Sequence, residues 1–197
     1  MTHAAGLPGL VARLASPEAA SREAAAQELY RLGRSLGDAV VDRWRAGPEF
    51  AALLAGTPTV GLAVLPDSFE KIRAANGSPR LAHVPPDQDA REIELHFGDA
   101  VKLDILTTKA PGRGGAIARF LEKFGEGIQQ VEYEVKDVDR AAEILRTRFG
   151  EQPIYPQTRP GADGTRVNFF LASAPEGKKV LIELVEVPQQ RASSSRF

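Results

Sequence analysis

The chain has 197 residues, with 25 Lys and Arg against 26 Asp and Glu and a net charge of −1. That length suits one domain with an extension, or two small domains, and it can bury a core without staples. The absence of cysteine excludes disulfides, thiolate nucleophiles and Cys-ligated zinc or iron–sulfur centres within the chain, and the balanced charge argues against nucleic acid or an anionic membrane as the main partner.

No apolar run approaches the roughly 20 residues that span a bilayer. The start, MTHAAGLPGLVARLASPEAA, has no basic segment followed by a long apolar one, so no signal peptide and a cytoplasmic location are expected. Residues 1–54 read as helical. Leu7, Leu10, Val11 and Leu14 recur at helical spacing. Ser16-Pro17-Glu18 offers a hydroxyl cap and a proline for the first turn. The next helix is expected to run to Gly33 as its stop, with Ala25, Leu29 and Leu32 on one stripe. A third helix is expected near Leu36 to Trp44, broken by Gly47-Pro48, with a short last helix at 48–54. SREAAAQELYRLG resembles the helix-pair signature of HEAT repeats. Arrays of that kind need about three units to stand alone. The segment is therefore expected to be an alanine-rich helical hairpin packed on the rest of the chain or on another copy, with a partner-binding arm as the alternative.

Residues 57–108 give strand, helix, strand, strand. TPTVGLAVL reads as a strand, and Asp67-Ser68-Phe69-Glu70 as a capping box opening a helix that ends at Gly77. REIELHF alternates, with Ile93, Leu95 and Phe97 on one face and Glu92, Glu94 and His96 on the other. VKLDILTT follows the Gly98-Asp99 turn as a further strand. A linker helix covers 113–125. Residues 127–187 repeat the order: GIQQVEYEV as a strand, a helix from Asp137 to Phe149 stopped by Gly150, then RVNFFLA and KKVLIELVEV joined through Pro175-Glu176-Gly177. TVGLAV lies over QVEYEV, and LDILTT over IELVEV. The polar tail is expected to be mobile.

Two such modules suggest two curved sheets pairing into one cup, and alternation assigns the faces. Val131, Tyr133 and Val135 are placed against the module's helix, with Ile128, Gln130, Glu132 and Glu134 on the opposite face. A face with a glutamine and two glutamates is not a dry core; it borders water, a ligand or a metal.

GEGIQQVEYEVKDVDRAAEIL and PGADGTRVNFFLASAPEGKKVLIELVE resemble the second-module opening and the closing segment of methylmalonyl-CoA epimerases. Residues 57–187 thereby resemble the vicinal oxygen chelate superfamily, which also includes glyoxalase I, bleomycin resistance proteins and extradiol dioxygenases. The resemblance implies an α+β fold of two βαβββ-type modules forming a cup-shaped sheet. Module one covers 57–108 and module two 127–187, preceded by the helical extension at 1–54 and followed by the tail at 188–197. In the family, one side chain from each of four strands holds a metal inside the cup. The resemblance carries these positions to Thr59, Asp104, Gln130 and Glu183. The two usually held by histidine carry Thr59 and Gln130 instead, and the three histidines, His3, His83 and His96, fall elsewhere. Imidazole binds divalent transition ions far better than a hydroxyl or carboxamide does, while Asp104, Gln130 and Glu183 offer oxygens alone, a set for weakly held Mg²⁺, Mn²⁺ or Ca²⁺. The expectation is no cofactor, or a weakly bound divalent metal at those three residues.

The retained Glu183 is the candidate catalytic group, and Thr59, Asp104, Gln130, Glu132 and Glu183 are the candidate ligand contacts. The family's second base lies near the stretch that corresponds to DQDA at 87–90, with its counterpart placed near His83, although a lone loop histidine is more often a surface residue. Lys102, Arg166 and Arg91 are the nearby cations by sequence. PGRGG at 111–115 lacks P-loop or dinucleotide spacing and is expected to be a linker; PGADG at 160–164 is a loop that borders the cup in the relatives. Two functions stay open: a small-molecule-binding or interaction module, docked to a partner or a second copy through its helices, or a lyase or isomerase of the epimerase type that moves a proton with Glu183, with or without an oxygen-ligated divalent metal. A third, blander outcome is a cup filled by side chains that serves assembly alone.

Overall fold

The computed structural model describes residues 6–174 and 177–188. His3, the Pro175-Glu176 part of the expected turn and the tail from Gln189 lie outside them. The chain opens with α1 (Leu7–Arg13), α2 (Ala19–Arg45) and α3 (Pro48–Ala51). The helix pair expected on either side of Gly33 is one helix of 27 residues, about 40 Å long at 1.5 Å per residue. Gly33 is not a stop. It lies buried mid-helix, and a Cβ there would stand 2.7 Å from Val60 Cγ2. Gly37, one turn on, would place a Cβ 2.6 Å from the Tyr133 hydroxyl and 2.7 Å from Val131 Cγ1. The missing side chains let the helix lie close on the sheet, which offsets the propensity cost of about 1 kcal/mol per glycine.

Two expected caps also move. Glu18, not Ser16, precedes the first residue of α2; the Ser16 hydroxyl donates to Glu18 Oε2 at 2.5 Å, outside the helix. Asp67 caps nothing, because α4 (Pro66–Ala75) starts at Pro66 and its cap position falls to Leu65, whose amide donates to Glu126 Oε1 at 2.8 Å. The last short helix stops at Ala51, and β1 (Leu54–Ala63) starts three residues later because Leu54 pairs with Val135.

Module one is β1, α4, β2 (Arg91–Phe97) and β3 (Val101–Thr107). After α5 (Ala116–Phe124), module two is β4 (Gly127–Val135), α6 (Val138–Arg148), the two-residue β5 (Arg159–Pro160), β6 (Arg166–Ser173) and β7 (Lys179–Glu186). The α6 start is as expected: the Asp137 carboxylate accepts from the Arg140 amide at 2.8 Å. All strands join one curled seven-stranded sheet in the order β2-β3-β1-β4-β7-β6-β5, consistent with the expected α+β cup. The modules meet where β1 pairs antiparallel with β4. Residues 76–90 carry no strand in module one.

The convex side is dry. Val60, Leu62, Ile93, Leu103 and Ile105 pack with Phe69 and Ile72 of α4 and with Ala25, Ala26 and Leu29 of α2. Val131, Ile182 and Leu184 pack with α6 residues and with Val40, Val41 and Trp44 from the far end of the same α2. One helix thus spans both cores across the seam. The apolar stripe of the extension packs on the chain's own sheet. No described helix is long and apolar enough to cross a membrane.

The sheet's two edges are laced together by loops. Arg80 reaches Asp163 with both guanidinium nitrogens, at 3.0 and 2.7 Å. The His83 amide donates to the same carboxylate at 2.9 Å. Arg159 pairs with Asp87 at 2.9 Å, and the Gln88 amide donates to the Pro160 carbonyl at 2.8 Å. These contacts join the rim of module one to that of module two.

Candidate functional site

Alternation along the strands decides what faces the hollow. Register places Glu94, Asp104, Gly61 and Gln130 in one row across β2, β3, β1 and β4. The next row holds Thr59, Glu132, Glu183 and Phe169 across β1, β4, β7 and β6. Neighbouring strands lie about 4.8 Å apart, so both rows form one continuous patch. Gly61 makes room in the first row, since a Cβ there would stand 2.6 Å from Gln130 Cγ. The hollow above the patch is a cavity of about 760 Å³. Thr59, Asp104, Gln130, Glu132 and Glu183 all line it, so the five expected contacts share one site. It is an open cavity, not a cup filled by side chains.

Thr59, Asp104, Gln130 and Glu183 are each at least nine-tenths buried. The Gln130 amide donates to Glu183 Oε2. Register slips by one residue between Gly61 and Leu62. This bulge leaves Gln129 beside Gln130 on the cavity and turns Ile128 back onto the convex core. Ile128 therefore does not share a face with Gln130, as strict alternation predicted.

Carboxylates dominate the electrostatics. Burial pushes Glu132 up to about 7, with Glu92 and Glu94 adding repulsion. Burial likewise raises Glu92 to about 7, helped by Asp163 and Glu94. Asp104 lies well above the usual carboxylate range through burial, then through repulsion from Glu132, Glu92, Glu94 and Glu183. Glu183 is raised well above its usual value by burial and by Glu132 and Glu92. Glu92 was legible in the sequence only as a member of a polar strand face; its burial depends on the curl of the sheet.

The remaining expected residues divide. Lys102 lines the cavity. His83 is exposed and holds Asp163 through its backbone, so it is not placed to act as the second base. Arg91 turns outward to Glu70, at 2.7 Å, and over the Phe69 ring. Arg166 pairs with Glu186, at 3.0 Å, and with Asp139. Arg119 of α5 and Arg159 of the rim line the cavity instead; both come from segments outside the strands that carry the expected site residues. PGRGG leads into α5, whose Ile117 and Leu121 pack on Ala63 and Leu106 at one end of the hollow.

Among the described residues, no three His, Cys, Asp or Glu side chains are grouped so as to hold a metal ion, and one Glu183 oxygen is occupied by the Gln130 amide. Asp104, Gln130 and Glu183 offer oxygen donors alone from the side chains that line the hollow.

No protein-family model matches the chain, and no curated protein matches it. Solved structures do. A methylmalonyl-CoA epimerase of Mycobacterium tuberculosis is 33% identical with a TM-score of 0.56, over 69% of this chain and 91% of the other. A hypothetical protein of Bacillus halodurans is 25% identical with a TM-score of 0.56, over 68% and 96%. A variant of the Streptomyces coelicolor methylmalonyl-CoA epimerase, in complex with 2-nitronate-propionyl-CoA, is 24% identical with a TM-score of 0.53, over 68% and 97%, and shares the fold. The two-module topology, the polar rows on the concave face and the identity to the mycobacterial protein agree: the chain belongs to the methylmalonyl-CoA epimerase family of the vicinal oxygen chelate superfamily.

Proposed function

We propose that the cup binds a small organic molecule, and that the site has moved away from the metal chemistry of its superfamily. The observation that carries this reading is the 760 Å³ cavity with polar side chains from four strands directed into it. Its size lies within the span of small-molecule sites, about 300–1,000 Å³. Buried polar groups are normally hydrogen-bonded, and a bound molecule would supply partners that the protein does not. The test compares the wild-type chain with Thr59→Trp, which fills the hollow, in thermal unfolding against a broad set of metabolites. Compounds that raise the melting temperature of the wild type and not of Thr59→Trp support the reading. A set in which nothing stabilises the wild type overturns it. Addition of EDTA is expected to leave the melting temperature unchanged.

A second reading, proton transfer of the epimerase type, is favoured by Glu92 and Glu132. Each is raised to about 7, and they belong to different modules. A carboxyl group that is half protonated near neutrality gives and takes protons readily. One carboxylate would remove the proton from a carbon beside a carbonyl, and the opposite carboxylic acid would return one to the other face, leaving an epimer. Incubation with methylmalonyl-CoA in D₂O, followed by mass spectrometry, is expected to show deuterium at that carbon for the wild type and at least 100-fold slower exchange for Glu132→Gln, the scale of a lost general base (~10²–10⁴-fold). Absence of exchange in the wild type removes this second reading and leaves the first intact.

A further inference from the structure

Resting on the reading of the cup as a small-molecule site, we infer that its ligand carries an apolar arm, an alkyl chain or an aromatic ring, and that the arm lies on the wall built by β6 and β7. The repeat lets the two outer walls be compared position by position. With Asp104 laid over Glu183, Lys102 of β3 corresponds to Leu181 of β7 and Leu106 to Val185. On the flanking strands, register then sets Glu92 against Val167, Glu94 against Phe169 and His96 against Leu171. Both walls keep one acid and one aliphatic residue at matching places. At the other positions module one has glutamate, lysine and histidine where module two has valine, phenylalanine and leucine. Two halves of one repeat thus turn a charged wall and an apolar wall toward the same hollow.

The apolar wall is held in place by its own contacts. The Ile154 amide donates to the Phe169 carbonyl at 2.7 Å, and Pro153 bridges to Phe170, which fixes Ile154 and Tyr155 along the outer edge of β6. Tyr155 meets Phe169 edge to face, with centroids 6.1 Å apart. Phe169 and Leu181 line the cavity and are only half-buried, and the wall runs outward to Ile154 and Leu171, which are 48% and 52% exposed. Apolar surface of this kind gains free energy by leaving water. Its occupant is the one that fills the hollow, because the wall is continuous with the polar rows: Phe169 pairs across strands with Glu183, and Leu181 stands two residues from Glu183 on the same face of β7. From Val185 to Leu181 the wall extends four residues, about 13 Å at the rise of a strand, so it takes an arm of several carbons. The polar part of the ligand then rests on the central strands and the arm runs along β7 and β6 toward Leu171.

The test is calorimetric titration of the full chain with two homologous series, straight-chain acyl-CoA thioesters and straight-chain primary amides, each running from acetyl to octanoyl, with methylmalonyl-CoA alongside. At least one series is expected to bind, with each added methylene tightening it about threefold. Leu181→Lys, which installs the residue found at the corresponding place in module one, is expected to remove that length dependence and to weaken the octanoyl compound about tenfold or more. Ile154→Lys, at an exposed position, is expected to weaken the longest compounds severalfold, and it provides a readout should Leu181→Lys fail to fold. Affinity that does not change with chain length overturns the apolar arm and leaves the small-molecule reading standing, as does methylmalonyl-CoA binding more tightly than every longer chain. Binding of neither series also overturns the arm, and the wider metabolite set then decides the small-molecule reading separately. Length dependence untouched by both variants overturns the placement on β6 and β7. Sedimentation that shows a wild-type dimer dissociated by Leu181→Lys gives the wall to a second copy and overturns the inference.

Discussion

The two faces of this sheet are built from alternate residues of the same strands and have opposite chemistry. On the convex side, Val60, Leu62, Val131, Ile182 and Leu184 are fully buried beneath helices. One residue away along those strands, Thr59, Gln130 and Glu183 are almost as buried and face a hollow. Burial on the first face stabilises the fold by about 25 cal/mol per Å² of apolar surface. On the second it is unfavourable, because carboxyl groups lose water without gaining cations. The stability of the protein therefore comes from one side of a sheet whose other side borders an open hollow.

That contrast can be broken most severely at the dry face. Gly33→Leu forces a side chain against Val60 and is expected to destabilise by about 3 kcal/mol or more, or to prevent folding, as read by denaturant unfolding. Retention of wild-type stability would show that α2 is not held on the seam. The wet face is sharpened by pH. The folded state holds protons on Glu92 and Glu132 up to about 7, against ordinary values of 4.5. Below about 4.5 both states are protonated and nothing is lost; between about 4.5 and 7 the unfolded state has released protons that the folded state retains, so stability falls across that interval and levels off above it. A loss of about 2.5 kcal/mol for each of the two groups, about 5 kcal/mol together, is expected between pH 5 and pH 8, visible as a lower melting temperature at the higher pH. A flat profile over that interval sinks the picture of desolvated carboxyl groups. Glu132→Gln removes the charge while keeping the shape. It is expected to raise stability at pH 8 by about 1–3 kcal/mol and to change little at pH 5, and equal effects at both values would point to packing instead. The smallest expected effect is at the rim. Asp163→Ala loses the Arg80 pair and the His83 amide bond, for about 1 kcal/mol in chemical denaturation.

Much of this was legible in the strand patterns. Alternation in REIELHF and GIQQVEYEV assigned strand faces, and the resemblance to the superfamily carried Thr59, Asp104, Gln130 and Glu183 to the inside of the cup. What escaped was set by contacts distant in sequence. Gly33 has the signature of a helix end, and only Val60, 27 residues later, explains why the helix continues through it. Pro66 outcompetes Asp67 for the start of α4 because its fixed φ suits the first helical position. The slip at Gln129 moves Ile128 to the other face, and no local signal marks it. Arg80 with Asp163 and Arg159 with Asp87 join residues more than 70 positions apart. The burial of Glu92 depends on that closure. The functional roles of Thr59, Asp104, Gln130, Glu132 and Glu183 rest on the ligand experiments.

The long α2 helix has a consequence for how anything enters the hollow. Packed into both cores at once, with its glycines pressed onto β1 and β4, it acts as a splint over the line along which two halves would otherwise hinge. The wall cannot gape at that line without tearing α2 from one of its cores. Access to the interior is left to the laced loops around residues 80–89 and 159–164, so exchange between the hollow and solvent should follow how often a few surface ion pairs come undone.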